Sequence, residues 1–303
     1  MSVALCLCIT LVTLPLSLYL CIPKVPNPAA LSQDKLSQFE FVGKLMGLAL
    51  RTRNLMWVTF PSVVWKPLVG ASLTEDDIAA IDVLQMNILK NLDNENMDPV
   101  DFTNQMSDVK FTITGSDSKI HPLCPNGANI SLTFENRHEY ASLVKKFRFE
   151  EFRRPVAAIR RGLGKVVPLD ALGVFTWRDL ETMVCGRGFA SEDVELLKRE
   201  TTYKSGGPTD QHIIWFWDVL TNDFNDEERS LYLVFVWGRS RLPLTAAEFD
   251  TKHKISSREG GDRAFPLAHT CFNQLDLPAY SSREVLAQRL RTAIYMCGVI
   301  DGD

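Results

Sequence analysis

What most constrains this chain is a change in the period of its apolar residues. In some stretches they recur every three to four positions, as a helix requires; in others they alternate, as a half-buried strand requires. Phe39, Val42, Met46, Ala49 and Leu50 share one helical face, and Gly43 and Gly47 lie one turn apart where a second helix can approach closely. Residues 63–68 read as a short buried helix, and Thr74 caps another whose first turn is acidic. Residues 78–92 continue helically. Val109, Phe111 and Ile113 alternate with polar residues, as do Ile130, Leu132 and Phe134, so two strands are expected to bracket a stretch containing Pro125-Asn126-Gly127. Asn136 and Glu139 read as a capping pair for a helix that carries Tyr140, Leu143, Val144 and Phe147. Thr176 caps a helix that stops at Gly186. From 198 to 212 the apolar pattern lapses, and a linker is expected there. Beyond it, 215–219 and 227–237 read as helices, and 264–275 as a strand interrupted at His269-Thr270-Cys271. Ser281 and Glu284 form a capping box for a last helix with Leu286, Leu290, Ala293, Ile294 and Cys297 inward. The expected class is α+β.

Composition narrows the function. The 303 residues are 46% hydrophobic and 23% charged, which suits a globular protein able to bury a full core. Lysine and arginine number 33 against 37 acidic residues, a formal charge of −4, so there is no basic excess to neutralise phosphates and nucleic acid is not an expected partner. The seven cysteines show neither zinc-ligand spacing nor a small-scaffold disulfide pattern, and the body reads as reduced and cytoplasmic. Residues 3–22 carry no charge and are long enough to cross a bilayer, after which Pro23, Pro26 and Pro28 end the run. Three readings stay open for them: a membrane anchor, a cleaved secretory signal, or a segment packed against the body. An anchor would keep the body cytosolic, because Lys24, Lys35, Lys44, Arg51 and Arg53 all follow it.

Most signatures of chemistry are missing. There is no phosphate-binding glycine loop, no His-Glu-x-x-His and no Gly-x-Ser-x-Gly, and the five histidines do not pair with cysteines at ligand spacing. No metal and no cofactor are expected. Cys271, flanked by polar His269 and Thr270 between turn-formers, stands apart from Cys297 on a helix stripe and Cys185 before a helix stop. A thiol on a loop is accessible and reacts as thiolate. Spacing alone leaves a structural role for Cys271 open.

The run Phe265-Pro-Leu-Ala-His-Thr-Cys-Phe-Asn-Gln-Leu-Asp-Leu-Pro-Ala-Tyr-Ser-Ser282 resembles the active-site signature of HECT-type ubiquitin ligases. Upstream, Phe41-Val-Gly-Lys-Leu-Met-Gly-Leu-Ala-Leu50, Asn126-Gly-Ala-Asn-Ile-Ser-Leu-Thr-Phe-Glu-Asn-Arg137 and Trp215-Phe-Trp agree in order, and Val236-Trp-Gly-Arg-Ser-Arg-Leu-Pro243 is most similar to the large HERC subgroup. The resemblance implies a bilobal fold: a mostly helical amino-terminal lobe at 31–197, here lacking its first part, a hinge at 198–207 with Gly206 and Gly207, and a smaller α/β catalytic lobe at 208–303. Residues 1–30 form the apolar segment and proline-rich spacer. The resemblance further implies that Cys271 takes ubiquitin from a conjugating enzyme as a thioester and passes it to lysines of protein substrates, with His269 and Thr270 shaping the loop, or, as the alternative for His269, a general base. Tyr140, and more loosely Leu89 and Leu92, match the groove that docks the conjugating enzyme. A second reading is a truncated, catalytically weak or inactive HECT protein that acts as a binding or adaptor module.

Overall fold

The computed structural model describes residues 25–56, 58–95, 97–106, 108–249 and 251–296. The apolar segment at 3–22 and the tail from Cys297 lie outside them. Among the described residues no helix is long and apolar enough to cross a membrane. The chain is α+β, and its described residues divide into two compact units, the first within 25–51 and 60–181 and the second within 52–59 and 182–296.

The first unit is mostly helical. α1 (Gln33–Thr52) buries Val42, Met46 and Ala49, and its glycines serve the expected close approach. A Cβ at Gly43 would stand 1.9 Å from the Ile159 carbonyl oxygen, and one at Gly162 would stand 1.8 Å from that of Glu40. Two backbones therefore touch where α1 meets the helix that carries Ile159 and Gly162, and no larger residue fits. α2 (Ser62–Leu68) buries Val63, Val64, Trp65 and Leu68, with the Trp65 indole donating to the Phe60 carbonyl at 2.9 Å. α3 (Glu75–Ala79) follows Thr74, whose backbone N–H and hydroxyl both donate to Asp77. α4 (Val83–Leu92) and α5 (Pro99–Met106) precede a small hairpin, β1 (Thr112–Thr114) with β2 (Ile120–Pro122). β1 thus pairs with 120–122 rather than with the expected strand at 130–134. A tight turn at Gly115 to Lys119 closes the local partner first, and the 130–134 segment adds one bridge, Lys110 to Ser131. α6 (Arg137–Glu150), α7 (Arg153–Gly164) and α8 (Leu169–Leu172) complete this unit. Asn136 precedes α6 without capping it, because its side-chain oxygen accepts from the Thr133 N–H at 2.7 Å instead.

α9 (Trp177–Cys185) carries the chain from one unit to the other. α10 (Val194–Arg199) and β3 (Thr201–Ser205) follow, so the stretch expected to be a hinge at 198–207 is a helix end and a strand inside the second unit. α11 (Gln211–Asp218) runs through a π-helical turn (Val219–Asp223) to α12 (Asp226–Trp237), where Asn225 and Glu228 cap each other reciprocally at 2.8 and 3.1 Å. β4 (His253–Arg258), β5 (Leu267–His269), β6 (Gln274–Pro278) and α13 (Arg283–Met296) finish the fold. The sheet order is β3-β4-β6-β5, parallel except for the antiparallel β5–β6 pair. Side chains alternate across it. Ile255, Leu275 and Leu277 join the core formed with α11, α12 and α13, while Lys204, Ser256, His269, Gln274 and Asp276 take the other face. α13 buries Leu286, Leu290, Ala293 and Ile294 as the periodicity predicts. Its cap is Ser282, whose Oγ accepts from the Val285 N–H at 3.3 Å; the Ser281 hydroxyl is committed to Asp262 at 2.6 Å.

Candidate active site

Cys271 lies in one 3-10 turn, Thr270–Phe272, that joins edge strand β5 to β6. Its thiol is free and exposed, whereas Cys185 is buried. The turn can reverse so tightly because the next residue, Asn273, takes φ +52, a left-handed conformation that asparagine tolerates better than most residues. Asn273 also anchors the turn. Its side-chain amide donates to the Thr251 carbonyl at 3.0 Å, and its own carbonyl accepts from the Lys254 N–H at 2.9 Å.

That anchor is held in turn by His253, fully buried at the start of β4. The Thr201 hydroxyl donates to the Leu197 carbonyl at 2.6 Å, so at 2.9 Å it can only accept from His253 Nδ1–H. Nε2 is then the acceptor for the Tyr232 hydroxyl at 2.7 Å. Burial pushes the imidazole down to about 3, and it raises the Tyr232 hydroxyl well above its ordinary value. A neutral three-residue relay thus joins β3, α12 and β4 beneath the Cys271 turn.

On the open face of the sheet, a polar row leads to the same turn. Lys204 Nζ donates to Gln274 Oε1 at 2.6 Å, Gln274 Nε2 donates to Asp276 Oδ1 at 2.6 Å, and His269 Nε2 stands 3.0 Å from Asp276 Oδ2. Partial burial alone would raise the Asp276 carboxyl. Its hydrogen bonds from Gln274 and His269, with the charge of Arg258, outweigh that and hold it below the usual carboxylate range. Around the turn Phe265, Leu267 and Phe272 expose apolar surface. Among the described residues no group of three His, Cys, Asp or Glu side chains could hold a metal ion.

The structure therefore brings Cys271, His269 and Thr270 together, and adds Asp276, Gln274 and Asn273. It does not place the expected docking residues on the surface. Leu89 and Leu92 are wholly buried, and Tyr140 is buried against Phe111, ring edge to face, with its hydroxyl 3.4 Å from the Thr112 carbonyl. Burial raises the Tyr140 hydroxyl. All three are core, because α4 and α6 pack through these faces. The exposed apolar residues of α4 are Val83, Leu84 and Ile88. Gly206 and Gly207 form the turn from β3 into α11. Gly206 has φ +80, and the Gly207 N–H donates to Asp210 at 3.0 Å.

Residues 21–299 match the HECT-domain (ubiquitin-transferase) family. The chain belongs to that family. It is 37% identical over 283 residues to the mouse E3 ubiquitin-protein ligase HERC2, covering 91% of this chain and 6% of that protein. Identity is 34% to the Arabidopsis thaliana E3 ubiquitin-protein ligase UPL2, over 89% of this chain and 8% of that one, and 31% to the Schizosaccharomyces pombe E3 ubiquitin-protein ligase pub1, over 88% and 35%. The chain thus spans between about a twentieth and a third of these relatives' lengths. Within this HECT domain, the Cys271 turn is the described site that combines an exposed thiol with hydrogen-bonded polar neighbours.

Proposed function

We propose that this HECT domain is the catalytic part of a ubiquitin-protein ligase in which Cys271 carries ubiquitin. The observation that carries this reading is the exposed Cys271 thiol on a turn braced from two sides, in a chain whose relatives are named E3 ubiquitin-protein ligases. In loading, the Cys271 thiolate attacks the carbonyl of the thioester between ubiquitin and its conjugating enzyme. The conjugating enzyme's thiolate leaves, and one thioester replaces another. Such exchange is nearly balanced and needs proximity and thiolate rather than a strong base. The new thioester then acylates a lysine of a protein substrate. A braced turn supports both steps, because it holds the sulfur at one place while leaving it open to large partners.

For the conjugating enzyme, the stripe Val83, Leu84 and Ile88 supports docking better than Tyr140, Leu89 and Leu92. Interface anchors must be exposed before binding, and Leu84 is 77% exposed. The reaction takes place in the cytoplasm, where ubiquitin, conjugating enzymes and ATP meet.

The test is adduct formation with ubiquitin, activating enzyme, conjugating enzyme and ATP. Wild type forms an adduct that thiol reductant removes, Cys271→Ala forms none, and Cys271→Ser traps a reductant-stable ester. A labile adduct that persists in Cys271→Ala moves the site to another cysteine. Wild type that binds conjugating enzyme but never forms the adduct favours the adaptor reading.

A further inference from the structure

Loading gives no work to the polar row beside Cys271, yet its four side chains, Lys204, Gln274, Asp276 and His269, are joined end to end by hydrogen bonds. Acyl transfer to lysine differs from loading in one respect. The nucleophile arrives as an ammonium ion, which has no lone pair until it loses a proton.

We propose that His269 takes this proton and that Asp276 is the positioning residue that fixes its tautomer. The inference rests on Cys271 carrying ubiquitin. His269 is the last residue of β5 and is separated from Cys271 only by Thr270, with its side chain about half exposed beside the turn. It pairs in register with Gln274, and its ring reaches diagonally to Asp276. An ionised carboxylate only accepts hydrogen bonds, so in the neutral ring Nε2 carries the hydrogen and Nδ1 keeps the lone pair. The other charged groups on this face cannot serve. Lys204, Lys254 and Arg258 are cationic, and Asp276, whose hydrogen bonds from Gln274 and His269 hold its carboxyl below the usual carboxylate range, is a poor proton acceptor. Gln274 is itself held by Lys204 at 2.6 Å, so the carboxylate is braced from β3, at the far edge of the sheet.

The step balances. One proton of the lysine ammonium passes to His269 Nδ1. The amine nitrogen attacks the thioester carbonyl, the carbon–nitrogen bond forms, and the carbon–sulfur bond breaks. Cys271 leaves as thiolate and takes the second nitrogen-bound proton. The products are the amide, the Cys271 thiol and a protonated His269.

The experiment loads the full chain, stops further loading, and chases the adduct with free lysine or with hydroxylamine, whose nitrogen is neutral at pH 7 and needs no base. For His269→Gln, loading and hydroxylamine discharge stay within about twofold of wild type. Lysine discharge falls by on the order of ten- to a hundredfold, at the modest end of general-base effects. Asp276→Asn shows the same split to a smaller degree, and Asp276→Glu recovers part of it. Equal loss with both nucleophiles, or a loss of loading, shows that the pair only shapes the turn and overturns the proposal, as does lysine discharge at the wild-type rate. Failure of wild type to form the adduct, or its survival in Cys271→Ala, counts against the Cys271 reading instead.

Discussion

Truncating leucines on the two faces of α4 should separate folding from recruitment. Leu89 is wholly buried and Leu84 is 77% exposed, although both belong to one ten-residue helix. For Leu89→Ala the cost combines lost transfer energy with the cavity left behind, and leucine-to-alanine changes in cores cost about 2–5 kcal/mol. For Leu84 only about a quarter of the residue's surface leaves water on folding. With roughly 1.5–3 kcal/mol at stake for a fully buried leucine, Leu84→Ala forfeits about 0.5 kcal/mol. As a docking anchor, however, Leu84 is worth on the order of 2 kcal/mol, or about thirtyfold in conjugating-enzyme affinity. Two measurements on each variant decide: the urea midpoint, and the conjugating-enzyme concentration that half-saturates loading. Leu84→Ala lowers its midpoint only by what about 0.5 kcal/mol implies and shifts the half-saturating concentration by about thirtyfold with little change in saturated rate. Leu89→Ala loses stability by about 2 kcal/mol or more. The reasoning fails if Leu84→Ala unfolds as readily as Leu89→Ala, or if Leu89→Ala stays as stable as wild type and weakens recruitment.

Gly206→Ala should destabilise the second unit by about 1–3 kcal/mol, since φ is +80 and its Cβ would stand 2.4 Å from Asp210 Oδ2. Gly207→Ala, with its nearest neighbour at 4.0 Å, should cost much less, and thermal melts of the two compare them directly. His253 makes a pH prediction. Its folded-state value near 3 lies below the ordinary 6.5, so between those values the unfolded chain binds the extra proton. The stabilisation is therefore whole above pH 6.5 and shrinks as pH falls towards 3, by up to about 1.4 kcal/mol per unit. Urea midpoints at pH 7 and 5 should fall more steeply for wild type than for His253→Gln, and equal slopes would refute the assignment.

The Cys271 turn was legible because its surroundings break the apolar pattern in the right place. Two short apolar runs flank a polar His-Thr pair, and the structure duly makes them β5 and β6 around a 3-10 turn. The long helices were legible for the complementary reason, that Val42, Met46 and Ala49, or Leu286, Leu290 and Ile294, commit one face each to a core. Where both faces of a helix are apolar the pattern cannot tell inside from outside. On α4, Leu89 and Leu92 face the core and Leu84 and Ile88 face water, although all four are equally apolar. The linker expected at 198–212, with its hinge at 198–207, failed in the opposite way. β3 is an edge strand whose outward residues, Thr202 and Lys204, meet solvent, and whose inward Thr201 buries a hydroxyl instead of a hydrocarbon. With no apolar alternation, a strand of five residues reads as a polar connector, even though its Thr201 is one end of the relay that steadies the Cys271 turn. The same buried polarity explains why His253 gave no signal. A histidine is placed in a core by partners brought from 52 and 21 residues away, Thr201 and Tyr232, and pairing at such separations is a property of the folded topology rather than of any local pattern.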